Sequence, residues 1–127
     1  EQKQITCANY VNLITVELTT STGKAIVATT VVQDETHIVR VNDYWIDIYP
    51  AHGYFLFSDH LDRPGLLGEV GRVTGDANID ITSMHVGRLQ PRGQALMVLA
   101  LDEQLSDAQR KKMLAIAGVY SAKPVKL

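Results

Sequence analysis

The sequence predicts an α+β chain in two parts: a helix-free run of short strands over residues 1–52, and a β, α, β, β, α, β succession over residues 53–127. Three observations carry that prediction. Apolar and polar residues alternate between turn dipeptides before residue 50, a helical apolar face begins at Leu66, and Ser106 with Gln109 forms a capping box ahead of a second helix.

In the first part, Leu13-Ile14-Thr15-Val16-Glu17-Leu18 alternates, Ser21-Thr22-Gly23 supplies a turn, and residues 25–32 are apolar and β-branched. His37-Ile38-Val39-Arg40-Val41 runs into Asn42-Asp43, a two-residue hairpin signal, and residues 44–49 alternate until Pro50 stops them. This is a β meander with one apolar side and two open edges. About 40 residues are few for a self-sufficient core, so the meander reads as the tail of a larger domain.

In the second part, Tyr54-Phe55-Leu56-Phe57 reads as a buried strand and Asp62-Arg63-Pro64-Gly65 as a helix start, because proline is tolerated only in the first turn. Leu66, Val70, Val73 and Ala77 then share one helical face. Gly68, Gly71 and Gly75 cost this helix about 1 kcal/mol each relative to alanine, which points to close approach by a partner. Ile79 and Ile81 sit on odd positions but Met84 and Val86 on even ones, so a β-bulge is expected near Thr82-Ser83. Gln90-Pro91-Arg92-Gly93 turns the chain into residues 94–101, apolar on both faces as a central strand should be. Met113, Ile116 and Ala117 supply the second helical stripe, Gly118 ends it, and Pro124 places the last strand, residues 119–127, at a sheet edge. The whole is a split βαβ, ferredoxin-like arrangement with both helices on one face of a four-stranded antiparallel sheet, a scaffold that hosts many functions.

Composition narrows those functions. With 46% hydrophobic and 20% charged residues the 127-residue chain reads as globular and soluble, and 12 basic against 14 acidic residues leave a formal charge of −2 without a face built for phosphates. Nucleic acid is therefore not an expected partner. No apolar run approaches the roughly 20 residues that span a bilayer, and no signal segment opens the chain, so no membrane association and a cytoplasmic setting are expected. Cys7 is the only cysteine, which excludes a disulfide framework. His37, His52, His60 and His85 lack metal-ligand spacing, and nothing resembles a nucleophile elbow, so neither a metal nor a catalytic site is expected. Tyr44, Trp45 and Tyr49 lack interleaved basic residues and read as meander core and rim. The chain opens at Glu1 without a methionine, as an excerpt would.

One constellation suggests a ligand. His60-Leu61-Asp62-Arg63-Pro64-Gly65 lies where a strand meets a helix, and Asn78 where that helix ends. The helix-start N–H groups near Gly65 and Leu66 suit a carboxylate, Asp62 an ammonium, and Asn78 both donates and accepts, which together meet the needs of a free α-amino acid. Charge-assisted bonds contribute roughly 1.5–3 kcal/mol each against an association cost of about 4–15 kcal/mol, giving a weak, reversible sensor. Simpler roles stand beside these: Asp62 as the helix N-cap, Asn78 as a left-handed C-cap, His60 as a surface loop residue, and Arg63 as a solvated charge or the partner of a nearby carboxylate.

With Asn78-Ile79-Asp80-Ile81, Met84-His85-Val86-Gly87-Arg88 and Gly93-Gln94-Ala95-Leu96-Met97-Val98-Leu99, that loop resembles the signature of the ACT domain family. Ala8-Asn9-Tyr10-Val11-Asn12-Leu13-Ile14, Ala28-Thr29-Thr30-Val31 and Ile38-Val39-Arg40-Val41-Asn42 resemble the last strands of the intervening domain that precedes ACT in long-form NAD-dependent dehydrogenases of serine synthesis. The resemblance implies a regulatory C-terminal region that is itself non-catalytic. L-serine or another small amino acid would bind at the interface of two ACT domains, with His60, Asp62, Gly65 and Leu66 from one subunit and Asn78 from its partner. It further implies a homo-oligomer joined through ACT sheets, and NAD bound only by an absent catalytic domain. A second anion site known in some relatives would have only His37 and Arg40, with Tyr49 nearby. Gly65, Gly68 and Gly71 have a G-x-x-G-x-x-G spacing inside a helix, which is not a dinucleotide fingerprint. Two other readings stay open: the regulatory region of an iron-sulfur L-serine dehydratase subunit, and a ligand-free ACT association module.

Overall fold

Short turns and alternating strands set the architecture of the computed structural model, which describes residues 2–4, 12–21 and 23–127. Cys7, Thr22 and the run 8–11 lie outside the described residues. The chain divides into two units, Glu1–Ala51 and His52–Leu127.

The first unit is an antiparallel meander, β1 (Gln2–Gln4), β2 (Ile14–Thr20), β3 (Gly23–Val32), β4 (Glu35–Val41) and β5 (Tyr44–Ile48), in sequential order. The Asn42-Asp43 hairpin forms as the dipeptide predicts. Asn42 is left-handed at φ 52, its N–H donates to the Ile26 carbonyl at 2.7 Å, and its Oδ1 accepts from the Ile26 N–H at 3.0 Å. A second tight turn at Gln33-Asp34 holds both residues left-handed, at φ 52 and 64, the geometry that matches strand twist. Glycine and asparagine are absent from that dipeptide, so composition did not flag it. The registers of β3·β4 and β4·β5 shift around Val39. That bulge buries Ile38 and Val39 together and brings His37 and Arg40 to one face.

The second unit contains β6 (Tyr54–Leu61), α1 (Leu66–Asp76), β7 (Ile81–Arg88), β8 (Gln94–Leu101), α2 (Asp107–Leu114) and β9 (Lys123–Lys126). The antiparallel sheet runs β7-β8-β6-β9, the order of a split βαβ fold, with β8 central and the Pro124-bearing β9 at an edge, as expected. Leu56, Met97, Leu99 and Leu101 from the sheet pack with Leu66 and Val70 of α1 and Met113 of α2, so both helices cover the same face. Leu96 and Val98, pointing the other way, are buried as well. The bulge in β7 falls at Thr82, between Ile81 and Ser83, and the Ser106–Gln109 capping box is present with both of its bonds.

Several boundaries differ from expectation. β6 continues through His60 and Leu61, which are therefore strand residues and not loop. α1 begins at Leu66, behind a Gly65 N-cap at φ 85 that has no side-chain cap, so Pro64 stands in the turn ahead of the first helical turn. β7 starts at Ile81, because Ile79 packs into the core while Asp80 bonds to Asp102. α2 ends at Leu114, beyond which Ile116 donates to Met113 and Val119 to Ile116 in tighter turns. Ile116 reaches the core but Ala117 is exposed, and Gly118, at φ 95, lies in the connecting turn and not at the helix cap. Before β9, Val119 makes only an isolated bridge to His60.

Candidate functional site

The second unit carries the best-defined polar constellation at the end of β6. Here the backbone N–H of Asp62 donates to the Gly93 carbonyl at 2.9 Å, which brings the β7–β8 turn over the β6–α1 loop. The Asp62 carboxylate then holds that turn. Its Oδ2 accepts from the Arg92 N–H at 3.1 Å and from Arg88 Nη1 at 3.0 Å. The Arg92 N–H, foremost, and the Arg88 guanidinium hold the Asp62 carboxyl below its ordinary range, against the opposing effect of partial burial. Asp62 is thus an ionised latch between two loops and does not cap α1, whose N-cap is Gly65. Neither Arg88 nor Arg92 stood out in the sequence as a partner of Asp62. The signal available was the pairing that sets the end of β7 beside the end of β6 across β8.

His60 is 2% exposed on β6, with Nδ1 3.4 Å from the Ser58 carbonyl, so the surface-loop reading of this residue is wrong. Alternation explains it: Leu56, Ser58 and His60 share the face under the helices. Gly65 gives the chain a left-handed step into α1, and the Leu66 N–H points at the Arg63 carbonyl at 3.4 Å. Arg63 is neither a free solvated charge nor only a carboxylate partner. It pairs with Glu69 at 2.6 Å and also donates through Nε and Nη2 to the Ala117 carbonyl at 2.9 and 2.7 Å.

Asn78 sits at the far end of α1. It is left-handed at φ 57, its N–H donates to Gly75, and the Ile79 N–H donates to Thr74, the two bonds of a Schellman cap. Eleven helical residues separate it from Gly65, a rise of about 16 Å. Within one chain, therefore, Asp62, Gly65 and Leu66 come together and Asn78 does not join them.

The other candidates are engaged elsewhere. His37 bonds to Asp47 at 2.6 Å and stacks on Tyr49, while Arg40 lies over Trp45 and donates to the Asn42 carbonyl at 2.6 Å, so the two side chains considered for an anion site already have partners. Among the described residues no group of three or more His, Cys, Asp or Glu side chains is placed to hold a metal ion, and no helix is long and apolar enough to cross a membrane. The glycine spacing does not fit a dinucleotide. Gly68 and Gly71 lie inside α1, and both sheets are antiparallel where such a site needs a parallel βαβ unit.

No family model matches the chain. Curated relatives do. The chain is 40% identical over 93 residues to D-3-phosphoglycerate dehydrogenase of Synechocystis sp., covering 73% of this chain and 17% of that protein. It is 34% identical over 121 residues to the Bacillus subtilis enzyme of the same name, covering 94% and 23%. With the Archaeoglobus fulgidus enzyme it shares 30% identity over 129 residues, covering 100% and 24%. The chain thus spans about a fifth of the length of the relatives it matches.

Proposed function

The chain belongs, as a segment, to the D-3-phosphoglycerate dehydrogenase family, and from that premise we propose that it is the regulatory C-terminal region of such an enzyme, an ACT domain preceded by the end of an intervening domain. It binds L-serine for feedback control of a dehydrogenase whose NAD and catalytic residues belong to other parts of the protein. The observation that carries this reading is the loop at the end of β6. An ionised Asp62, a left-handed Gly65 and the first turn of α1 converge there, and Asp62 Oδ1 bears no hydrogen bond to another described residue. An ammonium fits that oxygen, and a helix start suits a carboxylate.

The site is completed by a second copy of the chain. β7 is an edge strand with apolar residues open to solvent: Met84 and Val86 are exposed, as are nearby Leu89 and, on α1, Leu67. Edge-to-edge pairing of β7 with its counterpart joins the two sheets, covers those residues, and lets Asn78 of the partner subunit approach a site that it cannot reach within its own chain. Serine at that seam then favours one subunit arrangement over another, which is how it controls a distant active site. The same exposed edge supports a second reading, an association module with no ligand.

Isothermal titration calorimetry of the chain with L-serine, glycine, L-alanine and D-serine, combined with sedimentation velocity, tests both. Selective L-serine binding by a dimer supports the sensor. A folded dimer silent to all four supports the association module, and a monomer removes both.

A further inference from the structure

Resting on the amino-acid-binding reading above, we propose that Arg88 is a ligand-binding residue, the carboxylate half of a clamp whose ammonium half is Asp62, so that the site accepts free α-amino-acid zwitterions and discriminates against amines and carboxylates alone. The register places Arg88 of β7 opposite Ala95 of β8, and Ala95 opposite His60 of β6, so the three form one row on one face of the sheet. Ala95 contributes only a methyl group between the two longer side chains. Asp62 follows His60 by two residues, just past the end of β6 and next to that row.

Both members of the ion pair retain bonding capacity. Asp62 Oδ2 takes Arg88 Nη1 at 3.0 Å and the Arg92 N–H at 3.1 Å, and Oδ1 takes nothing from the described residues. Arg88 directs Nη1 at Asp62 and makes no hydrogen bond to a described residue through Nε or Nη2, and its side chain is 54% exposed. A planar guanidinium presents a second fork suited to a carboxylate. Of the helix-start N–H groups considered for that carboxylate, that of Leu66 is directed at the Arg63 carbonyl, which leaves the guanidinium as the stronger anion partner.

Charge balance sets the selectivity. A simple amine nearing Asp62 meets a carboxylate already matched by Arg88, and a simple carboxylate nearing Arg88 meets a guanidinium already matched by Asp62. A zwitterion satisfies both at once, its ammonium on Oδ1 and its carboxylate on the open guanidinium edge. The Arg92 N–H keeps Asp62 in position while Arg88 shares its charge.

Calorimetry of the wild-type chain, Arg88→Gln and Arg88→Lys with L-serine and L-serinamide, which lacks the carboxylate, tests this. In the wild type, L-serinamide binds about 10- to 100-fold more weakly than L-serine. Arg88→Gln weakens L-serine by a similar factor but does not weaken L-serinamide, since it removes the cation that competes for Asp62, and Arg88→Lys, which keeps the charge without the fork, falls between. Wild-type binding of L-serinamide as tight as that of L-serine overturns the clamp without reliance on any variant. So does an Arg88→Gln chain, folded by circular dichroism, that binds L-serine as tightly as the wild type or more tightly. Failure of the wild type to bind L-serine at all is a different result: it overturns the sensor reading, and the clamp with it.

Discussion

Arg63 donates twice to one acceptor, the Ala117 carbonyl, through Nε at 2.9 Å and Nη2 at 2.7 Å, and so ties the loop before α1 to the turn after α2. Gly118 follows that acceptor at φ 95, a left-handed step that glycine takes freely, while a Cβ there would make only ordinary contact with Arg63 Nε at 3.4 Å. Two helix-flanking loops far apart in sequence are thereby held by one side chain.

Arg63→Ala removes both bonds and the Glu69 pair, and lowers stability by about 1–3 kcal/mol. Arg63→Lys keeps a charge near Glu69 but cannot form the fork, so it recovers only part of the loss. Chemical denaturation of the three chains checks the order. Equal midpoints for wild type and Arg63→Ala contradict it.

Asp62 makes stability depend on pH with a defined sign. Its folded-state pKa is depressed, first by the Arg92 N–H and then by Arg88. Its contribution is therefore fully present above the ordinary aspartate value and is lost as pH falls through the depressed folded value. Asp62→Asn cannot ionise. The stability gap between wild type and variant should be widest near neutral pH and should close in acid, which a series of thermal melts at decreasing pH would record.

The fold was legible where local chemistry decides. The Ser106–Gln109 box, the Asn42-Asp43 hairpin, the β7 bulge and the edge position of Pro124 each depend on residues close in sequence or on alternation, and each appears in the structure. What was missed depends on contacts across the chain. The alternation of β6 extends past Phe57, so His60 is buried and not a loop residue. Asp62 looks like an N-cap in sequence because it precedes a helix, but the β7–β8 turn competes for its carboxylate and wins. Arg88 was visible only as one residue of a family motif, since nothing local pairs it with a residue twenty-six positions earlier.

The glycines of α1 lead to a paired prediction. At 100° per residue Gly68 and Gly75 lie opposite the buried Leu66, Val70 and Thr74 side and Gly71 lies on its flank, and a Cβ at any of the three meets nothing within 4 Å. Packing inside the unit does not require them. Gly71→Ala with Gly75→Ala should raise the melting temperature, because each removes a helix penalty of about 1 kcal/mol. If the outer face of α1 packs closely against another surface, the same pair should weaken self-association by sedimentation velocity.

Asn78 has a structural duty and a proposed binding duty, and glycine separates them. At φ 57 it closes α1, with its own N–H on Gly75 and that of Ile79 on Thr74. Alanine in a left-handed position costs about 1–2 kcal/mol, so Asn78→Ala should lower the melting temperature and confuse any loss of ligand with loss of the cap. Glycine adopts that conformation freely, so Asn78→Gly keeps the cap and removes only the amide. The expected result is a melting temperature close to that of the wild type with L-serine affinity reduced about tenfold or more, the loss of one or two ligand hydrogen bonds. Because α1 keeps Asn78 away from Asp62 of its own chain, mixing Asn78→Gly with Asp62→Ala should restore wild-type affinity to half of the two sites in each mixed dimer. Restoration on mixing places the two residues on opposite sides of a subunit seam; additive loss without restoration places Asn78 outside the site.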